Sequence, residues 1–135
     1  MKNSSMETIF RIVLFLVGVV NFAPAMIVFF PDKIAQSYGI QLSDANLDLL
    51  MRHRGVLFGL VGGLMIYAAI FKKNEHLAVL LGSLSMLSFI ILYFLPGQPH
   101  SVGLMKVMRI DLVALTALVI AYLVTDLSQV KNLYL

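Results

Sequence analysis

Three basic residues in a row, Arg52, His53 and Arg54, stand directly before an uncharged stretch that is rich in glycine. Asp48 precedes Arg52 by one helical turn, so the carboxylate and the guanidinium can pair on one helix face. Basic residues at the end of a membrane helix commonly reach lipid phosphates, and that explanation requires no ligand. The alternative is that this cluster stands at the mouth of a polar pocket and binds a ligand.

Asp111 is the strongest functional candidate, because it lies at the start of a fourth apolar segment. An isolated carboxylate within a bilayer costs about 2.5–3.5 kcal/mol even on the more lenient insertion scale. It must therefore be paired or protonated, and we predict that it pairs with Arg52 or Arg54. Such a pair either fixes only the helix register or forms the polar floor of a binding site. Arg109, two residues earlier, belongs to the same candidate site.

Asn21 lies within the first apolar segment, three residues before Pro24. Proline has no N–H, so the carbonyl of Val20 loses its usual helical donor. A kink beside an asparagine either opens a small polar pocket or lets the freed groups bond a neighbouring helix. Asn21 therefore joins the candidate ligand-binding residues.

Gly55, Gly59 and Gly63 recur every four residues and share one face of the predicted second helix. Small residues at this spacing let two membrane helices approach closely, so we predict a packing seam. The alternative is that this seam lines a narrow cavity with Arg52 at its mouth.

The elements that must position these residues are four uncharged segments, at residues 12–30, 55–71, 77–95 and 112–125. With its flanks each approaches the length of about 20 residues that a helix needs to cross a bilayer. Inside hydrocarbon every amide must be hydrogen-bonded, which favours helices. We predict one all-α domain over residues 1–135, an integral membrane four-helix bundle with spans at about 8–30, 48–71, 77–95 and 103–126.

The connections carry their own signals. Pro31 suits the first position of a helix and Gly39 suits its end, which predicts a short interfacial helix in the first connection. Ser43 is the predicted N-cap of the next helix. The short polar turn at residues 72–76 predicts antiparallel second and third spans, and the prolines within residues 96–100 break the chain again.

Composition excludes several classes of function. The chain is 60% hydrophobic and 13% charged, which is typical of a membrane protein and not of a soluble domain. It has no cysteine, so disulfides and thiolate metal sites are excluded. His53 has no second ligand at helical spacing, and we predict no metal and no cofactor. The scattered basic residues do not form a nucleic-acid-binding face. No nucleophile and base are visible as a pair, so catalytic residues stay unknown and an enzyme is not favoured.

We expect a multi-pass protein of the bacterial inner membrane. Four spans place five basic residues on each side, so the positive-inside rule gives a tie. Both termini are expected in the cytoplasm if Arg52, Arg54 and Arg109 are held within the bundle and not in free loops.

Residues 52–59 and 111–114, together with Tyr38-Gly39, resemble a family of small bacterial four-span membrane proteins. Many of its members are labelled phosphopantetheine adenylyltransferase, and the chain is more distantly similar to DoxX-like four-helix domains. The resemblance implies the fold but no secure activity. Enzymes of that name resemble soluble α/β nucleotide-binding proteins with a His-x-Gly-His-type motif, which none of His53, His76 and His100 begins.

The leading hypothesis is therefore a membrane protein that binds a small lipophilic or anionic amphiphilic molecule at the polar cluster at one end of the bundle. Two alternatives stay open: a small proton-coupled transporter, and a structural or accessory membrane subunit. Membrane lipids are the expected partners, and a homo-oligomer is possible through the glycine seam.

Overall fold

The computed structural model of the protein describes residues 4–95, 97 and 99–133. This part of the chain forms five helices: α1 (Ser4–Met26), α2 (Pro31–Tyr38), α3 (Ala45–Phe71), α4 (Glu75–Tyr93) and α5 (Val102–Leu133). All except α2 are long and apolar enough to cross a membrane. The predicted all-α membrane bundle of four long helices, with a short helix in the first connection, is confirmed.

Large apolar side chains cover the outside of the bundle. Leu60 on α3 is 66% exposed and Val113 on α5 is 70% exposed, and many similar side chains surround them. Apolar surface on this scale is unfavourable in water and favourable against lipid chains. The four long helices and their apolar exterior fit a multi-pass membrane protein.

The helix bounds differ from the predicted spans at two places. α1 ends at Met26 and not near residue 30, because the backbone turns at residues 27–29 before Pro31 starts α2. α5 continues to Leu133, beyond the predicted end of its span, because a helix can extend past the bilayer into water. Lys2 and two residues of the predicted break, 96 and 98, lie outside the described residues.

The first connection has the predicted helix but a different cap. Pro31 occupies the first turn of α2, and Gly39 ends it in the left-handed region with φ of 60°. The N-cap of α3 is Asp44 and not Ser43, because the Asp44 carboxylate accepts a hydrogen bond of 3.0 Å from the Asn46 amide. The predicted cap is wrong by one residue.

α1 and α3 pack with almost no space between their backbones. A Cβ atom at Gly62 would lie 2.5 Å from the backbone nitrogen of Phe22 and 2.6 Å from the carbonyl oxygen of Gly18. A Cβ atom at Gly59 would lie 2.7 Å from Cβ of Ala25 on α1, and one at Gly55 would lie 2.7 Å from a methyl group of Val28, just after α1. Glycine therefore sets the distance between these antiparallel helices.

The middle of the bundle is an apolar core. Its largest fully buried side chains come one from each long helix: Leu14, Met65, Met86 and Leu118. These residues separate a polar end near α2 from a polar end near the start of α1. Among the described residues, the ion pairs and the charged side chains that line cavities lie at those two ends.

α2 is attached to the start of α5. The Ser101 hydroxyl donates a hydrogen bond to the carbonyl of Tyr38 and accepts one of 3.1 Å from the Leu104 amide, so it also caps α5. Gly103 allows this approach, because a Cβ atom there would overlap the backbone of Tyr38. Two independent contacts thus fix Tyr38 beside α5.

Candidate ligand-binding site

A cavity of about 430 Å³ lies at the end of the bundle that carries α2. It is enclosed by α1, α2, α3 and α5, and its wall is mainly apolar. This volume falls within the range of roughly 300–1,000 Å³ that is typical of small-molecule sites. The polar residues on the wall include Asn21, Tyr38 and Asp111.

Asp111 is 8% exposed and lies nine residues after the first residue of α5. At about 1.5 Å per residue this places it roughly 13 Å along the helix. No other described residue forms a hydrogen bond or an ion pair with its carboxyl group, which contributes to the cavity wall. Its two oxygens are therefore acceptors that the described part of the chain leaves without a donor.

Asn21 supplies a further acceptor. It is 5% exposed, and its Nδ2 donates a hydrogen bond of 3.1 Å to the carbonyl of Val17. The bond fixes the amide group and uses one of its two N–H donors, which leaves the second N–H and Oδ1 for other partners. Val20, whose carbonyl lacks the donor that Pro24 cannot supply, also lines the cavity.

Arg54 lies next to this site but is surrounded by aromatic rings. Its guanidinium carbon is 5.2 Å from the ring centre of Tyr38, 4.9 Å from that of Phe58 and 4.6 Å from that of Phe89. A cation within about 6 Å of a ring face is attracted by the ring quadrupole. Three rings from α2, α3 and α4 therefore stabilise one charge.

The prediction that Asp111 forms an ion pair with Arg52 or Arg54 is wrong. Among the described residues, the ion pairs within 4.0 Å involve other carboxylates. The Arg54 charge still acts on Asp111 electrostatically, across a longer distance. Nη2 of Arg54 is buried without a hydrogen-bond partner in the described part of the chain. Aromatic rings, and not the Asp111 carboxylate that we predicted, lie against the Arg54 guanidinium.

Tyr38 responds to both charges. Burial raises the pKa of its phenol above the ordinary value of 10.0, the positive charge of Arg54 opposes this, and the negative charge of Asp111 adds to it. Its ring contacts the Arg54 guanidinium and also lines the cavity. Tyr38 and Phe58 thus both connect the arginine to the cavity, and the sequence pointed to them only within the family resemblance.

The other predicted basic residues lie away from the cavity. Nε of Arg52 forms an ion pair of 2.9 Å with Oδ2 of Asp48, the residue one turn earlier. His53 and Arg109 are exposed on the outside of the bundle. Of the candidate ligand-binding residues, the structure brings Asn21 and Asp111 together on the cavity wall, with Arg54 close behind.

The glycine seam is occupied within the chain. Gly55 and Gly59 contact α1, and Gly62 is closer to it than either of them. Gly63 is peripheral, since a Cβ atom there would meet only the Phe22 ring at 3.9 Å. The hypothesis that Gly55 and Gly59 are free for another subunit is therefore wrong.

An apolar groove continues from the cavity along α1 and α5. Its volume is about 410 Å³, and Val20 and Ile110 line both the groove and the cavity. The groove extends past Leu16 and Val113, which are exposed on the lipid-facing side. Arg109 lies at its edge. The cavity and the groove are therefore adjacent, on either side of the same two side chains.

The opposite end of the bundle has a polar cluster that the sequence analysis did not assign as a site. Nε of Arg11 lies 2.7 Å from Oε1 of Glu75, which joins α1 to α4. Nδ1 of His76 lies 2.8 Å from the Tyr122 hydroxyl, which joins α4 to α5. The sequence feature that could have indicated this cluster is the set of charged residues near the ends of three predicted helices on the same side of the membrane. These contacts link the helices, and the space among them is about 180 Å³.

Comparisons with protein-family models, with curated proteins and with solved structures find no match for this chain. The resemblance to small bacterial four-span proteins therefore stays a prediction, and the candidate site rests on the chain's own geometry. Within the described residues, no group of three or more His, Cys, Asp or Glu side chains is arranged to hold a metal ion.

Proposed function

We propose that this protein binds a small lipophilic or amphiphilic molecule from the membrane, in the cavity between α1, α2, α3 and α5. The observation that carries the proposal is the carboxyl group of Asp111, which lines a mainly apolar cavity and has no hydrogen-bond partner among the described residues. A buried polar group without a partner is costly. A ligand that supplies the missing donor would recover that free energy.

The groove supports an elongated ligand. An apolar tail that starts in the cavity can follow Val20 and Ile110 into the groove between α1 and α5. Because both walls are exposed toward lipid, the molecule can enter from the bilayer without passing through water. An anionic head group, if the ligand has one, would lie closest to Arg109 at the edge of the groove.

The setting of this activity is also part of the proposal. We place the protein in the bacterial inner membrane with both termini in the cytoplasm, which leaves the α2 end and the cavity nearer the outer face. Membrane lipids would be its principal partners, and no catalytic step is assigned to the site.

A proton-coupled transporter remains the second candidate, because Asp111 is a buried ionisable group in a cavity. The fully buried side chains of Leu14, Met65 and Leu118 oppose it, since they separate the two polar ends. Substrate-driven proton flux in liposomes that disappears in Asp111→Asn would favour transport over binding alone.

The binding proposal is tested by filling the cavity. Val107 lines the cavity, whereas Val119 lies slightly more than three turns further along α5 and outside it. Purified wild type, Val107→Phe and Val119→Phe are each incubated with a lipid extract of the host membrane and examined by native mass spectrometry. We expect an adduct on the wild type and on Val119→Phe that is lost from Val107→Phe. No adduct on the wild type, or the same adduct on all three, would contradict the proposal.

A further inference from the structure

The geometry points to a ligand whose polar end donates hydrogen bonds and carries no negative charge, an alcohol or an amine on a single apolar chain. This inference rests on the proposed function and names the class of molecule that the cavity would take. The polar end would lie at Asp111 and Asn21, and the chain would follow the groove between α1 and α5.

The first argument is that the cavity wall presents acceptors that the described residues leave without a donor. Asp111 offers two carboxyl oxygens and Asn21 offers Oδ1, while the second N–H of Asn21 and the hydroxyls of Ser37 and Tyr38 can donate. The carbonyl of Val20 lacks its usual helical donor. A head group with O–H or N–H bonds can donate to Asp111, whereas a carboxylate or phosphate has no hydrogen to donate and would leave the Asp111 oxygens without a partner.

The second argument is the position of the basic side chains. None of the described residues that line the cavity is basic. Arg54 is stabilised by three aromatic rings, and Arg52 is paired with Asp48. A negatively charged head group inside the cavity would therefore face the Asp111 carboxylate without a direct cationic partner, which is unfavourable in a medium of low dielectric.

The third argument concerns the shape of the ligand. The cavity and the groove share Val20 and Ile110, so the two spaces are adjacent and a chain that passes these two side chains can occupy both. Their volumes, about 430 and 410 Å³, suit one chain with a small head group. A single-chain molecule can place its head at Asp111 while its chain remains on the apolar walls.

The test uses three probes with the same chain and different head groups: dodecan-1-ol, dodecylamine and dodecanoate. Their affinities for the wild-type protein in a non-ionic detergent are measured by titration with native mass spectrometry. We expect the alcohol and the amine to bind at least about ten-fold more tightly than dodecanoate, as the loss of a hydrogen bond to a charged group predicts. This comparison requires no variant, so it does not depend on whether a substituted chain folds.

Two variants then locate the head group. Asp111→Asn is expected to weaken amine binding by about ten-fold and to narrow the difference between the amine and dodecanoate. Asp126→Asn, at an exposed carboxylate near the opposite end of α5, is the matched control and is expected to leave all three affinities unchanged. Size-exclusion profiles and unfolding temperatures show whether each variant is folded.

The outcomes separate this inference from the proposed function. Dodecanoate that binds as tightly as the other probes, or equal losses of amine affinity in Asp111→Asn and Asp126→Asn, would overturn the inference and leave membrane-ligand binding intact. Failure of all three probes to bind the wild type would overturn both. The relative affinities of the alcohol and the amine distinguish these two head groups. Tighter binding of the amine would show that the charge of the Asp111 carboxylate contributes.

Discussion

The guanidinium carbon of Arg54 lies 4.6 Å from the ring centre of Phe89, and this contact connects α3 to α4 beside the cavity. Phe58 and Tyr38 complete the surroundings of the same guanidinium. Arg54 is half-buried, and its Nη2 is buried without a hydrogen-bond partner among the described residues, so the groups around it must stabilise part of its charge. In this protein the remaining groups are aromatic rings.

Removing one ring should therefore destabilise the bundle. We expect Phe89→Leu to lower the free energy of unfolding by about 1–3 kcal/mol, from the lost cation–π attraction together with the lost packing. The measurement is thermal unfolding in detergent. Phe29→Leu, at a side chain that is 81% exposed, is the control and should change little. An equal effect of the two substitutions would contradict the role of the Phe89 ring.

The glycines of α3 differ in how closely they approach α1, and this gives a matched pair on adjacent residues. We expect Gly62→Ala to destabilise the protein by about 1–3 kcal/mol, because a Cβ atom there would overlap the backbone of Phe22 and Gly18. Gly63→Ala should be neutral or stabilising by up to about 1 kcal/mol, since it has space and improves helix propensity. The unfolding temperatures of the two variants test this difference. Destabilisation by Gly63→Ala but not by Gly62→Ala would contradict the close contact of α1 and α3 at Gly62.

Stability should fall at alkaline pH because of Tyr38. Its pKa is raised in the folded protein by burial above the ordinary value of 10.0, so the folded state holds the phenolic proton more tightly than the unfolded chain does. This contribution is fully present below about pH 10 and is lost as the pH rises from there through the folded pKa. Tyr38→Phe removes the ionisable group and should flatten that part of the pH dependence.

The experiment records unfolding temperature between about pH 9 and pH 12 for the wild type and Tyr38→Phe. Tyr67→Phe, at a phenol that is 41% exposed, controls for the loss of a hydroxyl group. Identical alkaline profiles for the wild type and Tyr38→Phe would show that the folded and unfolded states hold this proton equally.

The ion pair between Arg11 and Glu75 should stabilise the opposite end only modestly. Both side chains are roughly one-fifth exposed, so solvent screens the attraction. A double-mutant cycle with Arg11→Gln and Glu75→Gln is expected to give a coupling free energy of about 0.2–1 kcal/mol. A coupling free energy above about 3 kcal/mol would instead indicate that the pair behaves as a buried ion pair that solvent does not screen.

The sequence predicted the architecture well because apolar length and helix-ending residues act locally. The four uncharged segments each became a long helix, and Pro31 and Gly39 marked the ends of α2. The exact N-cap failed, since Ser43 and Asp44 are both good capping residues and the choice depends on one backbone angle.

The partners of the charged residues were harder to predict, because they depend on how each helix is rotated about its axis. A carboxylate and a guanidinium on neighbouring helices suggest a pair, yet the sequence does not show that Phe89 and Tyr38 compete for Arg54. The contact between Arg11 and Glu75 spans 64 positions in the chain and was missed for the same reason. Gly62 was not predicted as the closest point because the repeat at every fourth residue favoured Gly63.

The glycine contact between α1 and α3 has a mechanical consequence. Two backbones in direct contact have no side chains between them to rearrange, so this half of the protein behaves as one stiff slab. Ser101 and Gly103 fasten α2 to the start of α5, and α5 also packs against α1 and α4. We therefore expect that widening of the cavity for a larger ligand involves α2 and the start of α5 and not the spacing of α1 and α3, and that a covalent cross-link between α1 and the start of α5 would fix its width.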